Sequence, residues 1–70
     1  MFDYKITENV AVISQRGSWS LELNKVSWNG RAPMYDLRKW SPDHDKMSKG
    51  ISLNEDELCA LAKTLAPFAE

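Results

Sequence analysis

The chain holds one cysteine, three glycines, three prolines and one histidine in 70 residues, and each scarcity removes a class of function. A lone Cys59 forms no intramolecular disulfide, and no Cys/His cluster has the spacing of a structural zinc site. Gly17, Gly30 and Gly50 stand apart, so no glycine-rich loop is available to cradle a triphosphate. No apolar run approaches the roughly 20 residues that span a bilayer. The opening MFDYKITENV lacks the basic and apolar regions of a secretory leader. These absences lead us to expect a cytoplasmic chain with its thiol in a reducing compartment. Asp43-His44-Asp45 is the one cluster of ligand-type side chains. Adjacent loop residues do not converge on one ion, so it reads as a solvated turn. Cys59 has no partner base and reads as a small buried hydrophobe beside a helix stripe. With no catalytic constellation, metal site or cofactor motif, we expect a non-enzymatic domain.

What is present is a single small domain over residues 1–70. Chains this short bury only about 60% of their unfolded surface and often need a staple or a partner. With no staple in the sequence, a symmetric homodimer is the expected source of extra burial. The net charge of −1 conceals an asymmetry. Between Arg16 and Lys49 seven Lys/Arg face four Asp/Glu, a local excess of +3, whereas Asn54 to Glu70 carries −3. A basic middle beside an acidic tail permits polyanion binding by the middle.

The chain reads as strands followed by one helix. Residues 2–15 are β-rich, as one long strand or two short ones, and QRGS then punctuates. In 19–28 the apolar positions Trp19, Leu21 and Leu23 change parity to Val26 and Trp28, which predicts a β-bulge or strong bend near Asn24. Asn29-Gly30 is a strong hairpin signal because both residues tolerate positive φ, and Arg31 to Pro33 lengthen the turn. Strands over 34–40 and 49–53 flank the polar loop SPDHDKMS. Asn54 is an N-cap with Glu57 three residues on, and Leu58, Leu61, Ala62, Leu65 and Phe68 mark the apolar stripe of a helix over 55–66. Pro67 ends it. The fold class is α+β, a four-stranded antiparallel sheet with one C-terminal helix. One helix covers one sheet face, so the other is expected to stay open.

That second face carries a puzzle in DLRKW, residues 36–40. Alternation sets Asp36, Arg38 and Trp40 together, with Tyr35 and Leu37 pointing toward a core. Cations and large aromatics interleave around the hairpin: Lys25, Trp28, Arg31, Arg38, Trp40, Lys46 and Lys49. Surfaces of this kind bind single-stranded nucleic acid, since bases stack on rings for roughly 1–3 kcal/mol each while cations track phosphates. On the residues alone, Trp28 and Trp40 fit a core or dimer-interface position as well as a stacking one, and Trp19 fits a core position in register with Leu21 and Leu23. Asp36 is expected to pair with Arg38 and hold its guanidinium.

YDLRKW, a polar loop, KGISL and an acidic-started helix together resemble the C-terminal domain of the transcriptional coactivator positive cofactor four (p15), and still more its small bacterial relatives, over roughly residues 24–62. The resemblance implies a strongly curved four-stranded sheet, homodimerisation through the helix and part of the sheet, and single-stranded DNA binding with little sequence preference. It assigns the hairpin-tip aromatic to Trp28, the turn cations to Asn29 and Arg31, the strand arginine to Arg38, the strand-end aromatic to Trp40 and the post-loop lysine to Lys49. Asn29 replaces a common lysine, the Ser41–Ser48 loop is shorter than in eukaryotic members, and Leu58 replaces a helix aromatic; no serine-rich regulatory extension is expected. The resulting expectation is a DNA-binding homodimer on the open face. In it Trp28 and Trp40 stack bases, Lys25, Arg31, Arg38, Lys46 and Lys49 contact phosphates, and Asn29 adds polar contacts. Lys5, Arg16 and Trp19 are weaker candidates at the groove edge. Loss of Trp40 should then leave the fold intact. The setting would be transcription, replication or repair, near the nucleoid if the source is bacterial. The alternatives are an RNA-preferring binder and a module that receives a peptide of the transcription or replication machinery.

Overall fold

The computed structural model describes residues 3–69. Strands β1 (Tyr4–Arg16), β2 (Trp19–Trp28), β3 (Met34–Trp40) and β4 (Ile51–Leu53) form one antiparallel sheet in the order β1-β2-β3-β4. Helix α1 (Glu55–Leu65) follows, closed by a 3-10 turn at Ala66–Phe68. The α+β order matches the sequence reading; the expected start of the first strand, at residue 2, lies outside the described residues. Asn29 and Gly30 adopt φ of 50° and 77°, and the Arg31 N–H donates to the Trp28 carbonyl at 2.9 Å, closing the anticipated hairpin turn. The predicted capping box is formed: Glu57 N–H donates to Asn54 Oδ1 at 2.8 Å, and Asn54 N–H to Glu57 Oε1 at 2.9 Å.

The bulge lies elsewhere than predicted. β2 keeps an unbroken register with β3, from Ser20 opposite Trp40 to Val26 opposite Met34. The irregularities fall in β1, between Ile6 and Glu8, Asn9 and Ala11, and Val12 and Ser14. Each extra residue bends and twists that edge strand. The parity change in β2 has a different cause: both of its faces are covered. Leu21 and Leu23 look toward α1, while Glu22, Asn24 and Val26 look away from it.

The face away from α1 is not open. Trp40 and Val26 are both 0% exposed and are the fully enclosed hydrophobic residues of the described chain. Tyr4 places its ring 5.4 Å from that of Trp40 and 5.9 Å from that of Trp28. The Ser41–Ser48 loop folds back over the same face. Ser41 N–H donates to Lys46 C=O at 3.0 Å, Lys46 N–H to Ser41 Oγ at 2.9 Å, and Ser48 N–H to Lys39 C=O at 3.0 Å. His44, at φ 58°, turns its ring to within 5.6 Å of Trp40, and the Tyr4 hydroxyl donates to its carbonyl. His44 is therefore half-exposed and leans its ring over this face, whereas its acidic neighbours stay in the solvated turn.

Beneath His44 lies a buried carboxylate. Glu22 Oε1 accepts from Asn24 Nδ2 at 3.1 Å and Asn9 Nδ2 at 3.3 Å, and Oε2 accepts from Ser20 Oγ. His44 Nε2 stands 3.0 Å from both oxygens. Burial pushes the Glu22 pKa up, but the donors Ser20, Asn24 and His44 outweigh it and hold the carboxyl below its ordinary value. The charged form is thus the one this site is built around.

The aliphatic side is the incompletely covered one. Ile13, Leu21, Leu23, Leu37 and Leu53 of the sheet and Leu58, Leu61, Ala62 and Leu65 of α1 line an apolar groove of about 330 Å³. No residue of α1 is fully buried, and Ile13 and Leu65 remain 56% and 50% exposed. Cys59 is exposed rather than buried, because one residue beyond Leu58 turns it about 100° around the helix. Phe68 lies outside the groove at 80% exposure.

Two measurements check this distribution. Trp40→Ala should lower stability by about 3–5 kcal/mol in urea denaturation, and a loss below about 1 kcal/mol would contradict an enclosed ring. Glu22 has a folded pKa below its unfolded one, so its stabilising contribution is complete above the ordinary value of 4.5 and lost as pH falls through the folded pKa. Acid unfolding of Glu22→Gln should accordingly be shallower than that of the parent below that pH.

Candidate functional site

The residues singled out in the sequence divide between the two sheet faces. On the far face, opposite α1, Asp36 is fully buried and grips Arg38 with both oxygens: Arg38 Nε donates to Oδ1 and Nη2 to Oδ2, each at 2.6 Å. Ser52 Oγ donates to Asp36 Oδ2 at 3.2 Å from the neighbouring β4. Arg38 Nη1 reaches Ser48 C=O at 3.4 Å and Met47 Sδ at 3.3 Å. Gly50 makes this packing feasible, since a Cβ there would stand 2.4 Å from both Leu37 O and Arg38 Cβ. The guanidinium then covers the ring of Trp28 at 4.6 Å from its centroid, a cation–π contact on a half-buried indole.

This geometry bears out the Asp36–Arg38 pairing and gives Arg38, Trp40 and Asn29 structural contacts. Asp36 does fix Arg38. Arg38, however, keeps only 14% of its side chain exposed and has its charge answered by a carboxylate, so it is a framework cation rather than a free one. Trp40, expected to face the ligand, is sealed beneath Tyr4 and His44 and offers no ring surface to solvent. Asn29 ties the start of the chain to the turn: its N–H donates to Asp3 C=O and its Oδ1 accepts from Asp3 N–H, both at 2.8 Å.

Lys25 lies on the other face. It stands opposite Tyr35 in the β2–β3 register, with its Nζ 5.2 Å from the Tyr35 ring centroid. The register puts Lys5, Arg16, Trp19 and Lys39 on this helix side as well. Tyr35 and Lys39 were not among the sequence candidates. Counting parity outward from Leu37 would have found both, because β3 residues two apart share a face. Arg31 projects from the turn, and Lys46 and Lys49 from the loop, all exposed or half-exposed.

The cations differ in how their charge is used. Of the seven between Arg16 and Lys49 named in the sequence, Arg38 alone forms an ion pair among the described residues. Arg16, Lys25, Arg31, Lys39 and Lys49 form no ion pair there, and Lys46 interacts only through charge with nearby Asp43. Asp43, near Lys46, is held as an anion: the Asp45 N–H donates to its Oδ1 at 3.0 Å and the Ser41 hydroxyl at 2.9 Å, and these bonds lower its pKa. Cations without an ion pair beside half-buried aromatic rings, as at Lys25 with Tyr35 and at Arg16 and Lys39 with Trp19, suit a ligand that is both anionic and planar. Asp43 accepts bonds within its own loop and His44 turns to Glu22, and no group of three ligand-type side chains converges among the described residues.

Comparison with known proteins places this arrangement. A protein of Treponema pallidum (strain Nichols), described only as uncharacterized, is 49% identical over 65 residues, covering 91% of this chain and 76% of the relative. Residues 15–64, from the end of β1 through nearly all of α1, match the family model described as Transcriptional Coactivator p15 (PC4). The chain belongs to the transcriptional coactivator p15 (PC4) family, a family of non-enzymatic DNA-binding domains.

Proposed function

We propose that the protein is a homodimer that binds single-stranded DNA with little sequence preference. The observation that carries this reading is the pairing of cations that form no ion pair among the described residues with aromatic rings: Lys25 over Tyr35, and Arg16 and Lys39 beside Trp19. Phosphates are attracted to such cations, and unpaired bases present faces that stack on aromatic rings whatever their identity. A duplex hides those faces. Lys25, Arg31, Lys46 and Lys49 are assigned to phosphates, and the exposed parts of Trp28 and Tyr35 to bases. Arg38 keeps Trp28 oriented, and Asn29 shapes the turn. Trp40 is reassigned from ligand contact to core.

The apolar groove supports the dimeric part. Its aliphatic lining, half exposed in one chain, is matched in chemistry by the same surface on a second copy. The three irregularities in β1 favour the strong curvature that two such sheets would need to form a shared channel. The proposed setting is the cytoplasm, at exposed strands during transcription, replication or repair, near the nucleoid in a bacterial cell.

Intrinsic tryptophan fluorescence with oligo-dT of about 20 nucleotides tests the reading. The signal should change on binding, and log K against log salt should fall with a slope of about −2 to −3, at about −0.7 per neutralised phosphate. No spectral change at low salt, or an affinity indifferent to salt, would overturn it. Sedimentation equilibrium should give twice the chain mass of 8.0 kDa; a monomer at tens of micromolar would remove the dimer.

A further inference from the structure

A second groove lies on the helix side, at the end of β2 remote from the Asn29-Gly30 turn. Ser14, Arg16, Trp19, Leu21 and Lys39 line it, around a volume of about 280 Å³. The register explains the convergence. Arg16 stands opposite Trp19, Ser14 opposite Leu21, and Leu21 opposite Lys39, so all five side chains share one face across three strands. The lining contains two cations and no carboxylate, and neither cation forms an ion pair with a described residue. Trp19 is half-exposed and contributes an indole to the wall.

We propose that this groove is a second subsite for one nucleotide of a single strand, separate from the hairpin. Arg16 and Lys39 flank the position of a phosphate. Trp19 supplies the surface on which the attached base stacks, and the Ser14 hydroxyl adds a polar contact. A purely apolar ligand would leave two cations unanswered, and a simple anion would leave the indole idle. A nucleotide uses both. Nine residue steps along β2 separate Trp19 from Trp28, about 30 Å at the rise of an extended strand. One nucleotide therefore cannot reach both places, and the subsite engages only a strand long enough to extend past the hairpin. Leu21 lines both this groove and the apolar one, which puts the subsite at the rim of the surface assigned to the second copy.

The inference rests on the single-strand reading, and the experiment separates the two. Oligo-dT of about 20 nucleotides is titrated into the parent, the Arg16→Gln/Lys39→Gln double variant and Trp19→Ala. The double variant alters exposed side chains, and circular dichroism verifies that it is folded. Its salt slope should be shallower by about 0.7, for the one phosphate that is no longer neutralised. Trp19→Ala should bind about tenfold more weakly. In the parent, the Trp19 indole N–H resonance, identified by its disappearance in Trp19→Phe, should shift on adding oligo-dT. If the parent binds with the salt slope given above while the double variant keeps the same slope and the Trp19 resonance stays in place, the subsite is overturned and the hairpin reading stands. If the parent itself does not bind, both fall.

Discussion

The two-pronged grip of Asp36 on Arg38 is the contact on which the rest of the structure depends. It joins a buried carboxylate on β3 to a guanidinium that also reaches the Met47–Ser48 segment, and Ser52 adds β4 to the same carboxylate. Desolvating such a pair is costly, and paired geometry with further hydrogen bonds is what offsets it. Removing either partner would leave a charge in a site built for two. The arginine thus positioned covers Trp28, so an electrostatic contact in the sheet fixes an aromatic surface at the root of the hairpin. Gly50 is part of the same device, because any side chain there would collide with the backbone and side chain it passes.

Around this pin the chain inverts the usual assignment of faces. The side away from α1 encloses Trp40 and Val26 together with Glu22, Asn24 and Asp36, polar groups that are tolerated because hydrogen bonds answer them. The aliphatic side, which α1 covers only in part, keeps its leucines within reach of solvent. For a chain of 70 residues this is a poor use of apolar surface in isolation. A second copy that completes the layer resolves the difficulty, and so the proposed dimer and the proposed binding surface depend on each other. In that proposal the second copy takes the leucines, and the cations at either end of that face remain for the ligand.

Much of the fold was legible because its signals are local. The Asn29-Gly30 turn, the Asn54–Glu57 capping box and the stop at Pro67 each depend on a few adjacent residues whose backbone chemistry is distinctive. The pairing of Asp36 with Arg38 was legible from alternation alone. What escaped was set by contacts distant in sequence. Nothing in SPDHDKMS announces that His44 adopts a positive φ, turns inward and closes over Trp40 against Glu22, 22 residues earlier. That closure converts an expected stacking platform into core. The position of Lys25 was available from parity, since it and Trp28 are three apart and must face opposite ways in a strand without a bulge. Assuming a bulge near Asn24 hid this. The irregularities lie in β1, where one long β-rich run gives no indication of which residues will go unpaired.

The central claim is that this surface selects strands whose bases are unpaired. A titration with single-stranded DNA, duplex DNA and single-stranded RNA of matched length and at one salt concentration addresses it most directly. Binding should be tightest to single-stranded DNA and markedly weaker to the duplex, which carries the phosphates but withholds the base faces. Equal or tighter binding to the duplex would show that the cations act without the rings and would contradict the claim; tighter binding to RNA would overturn the assignment to DNA.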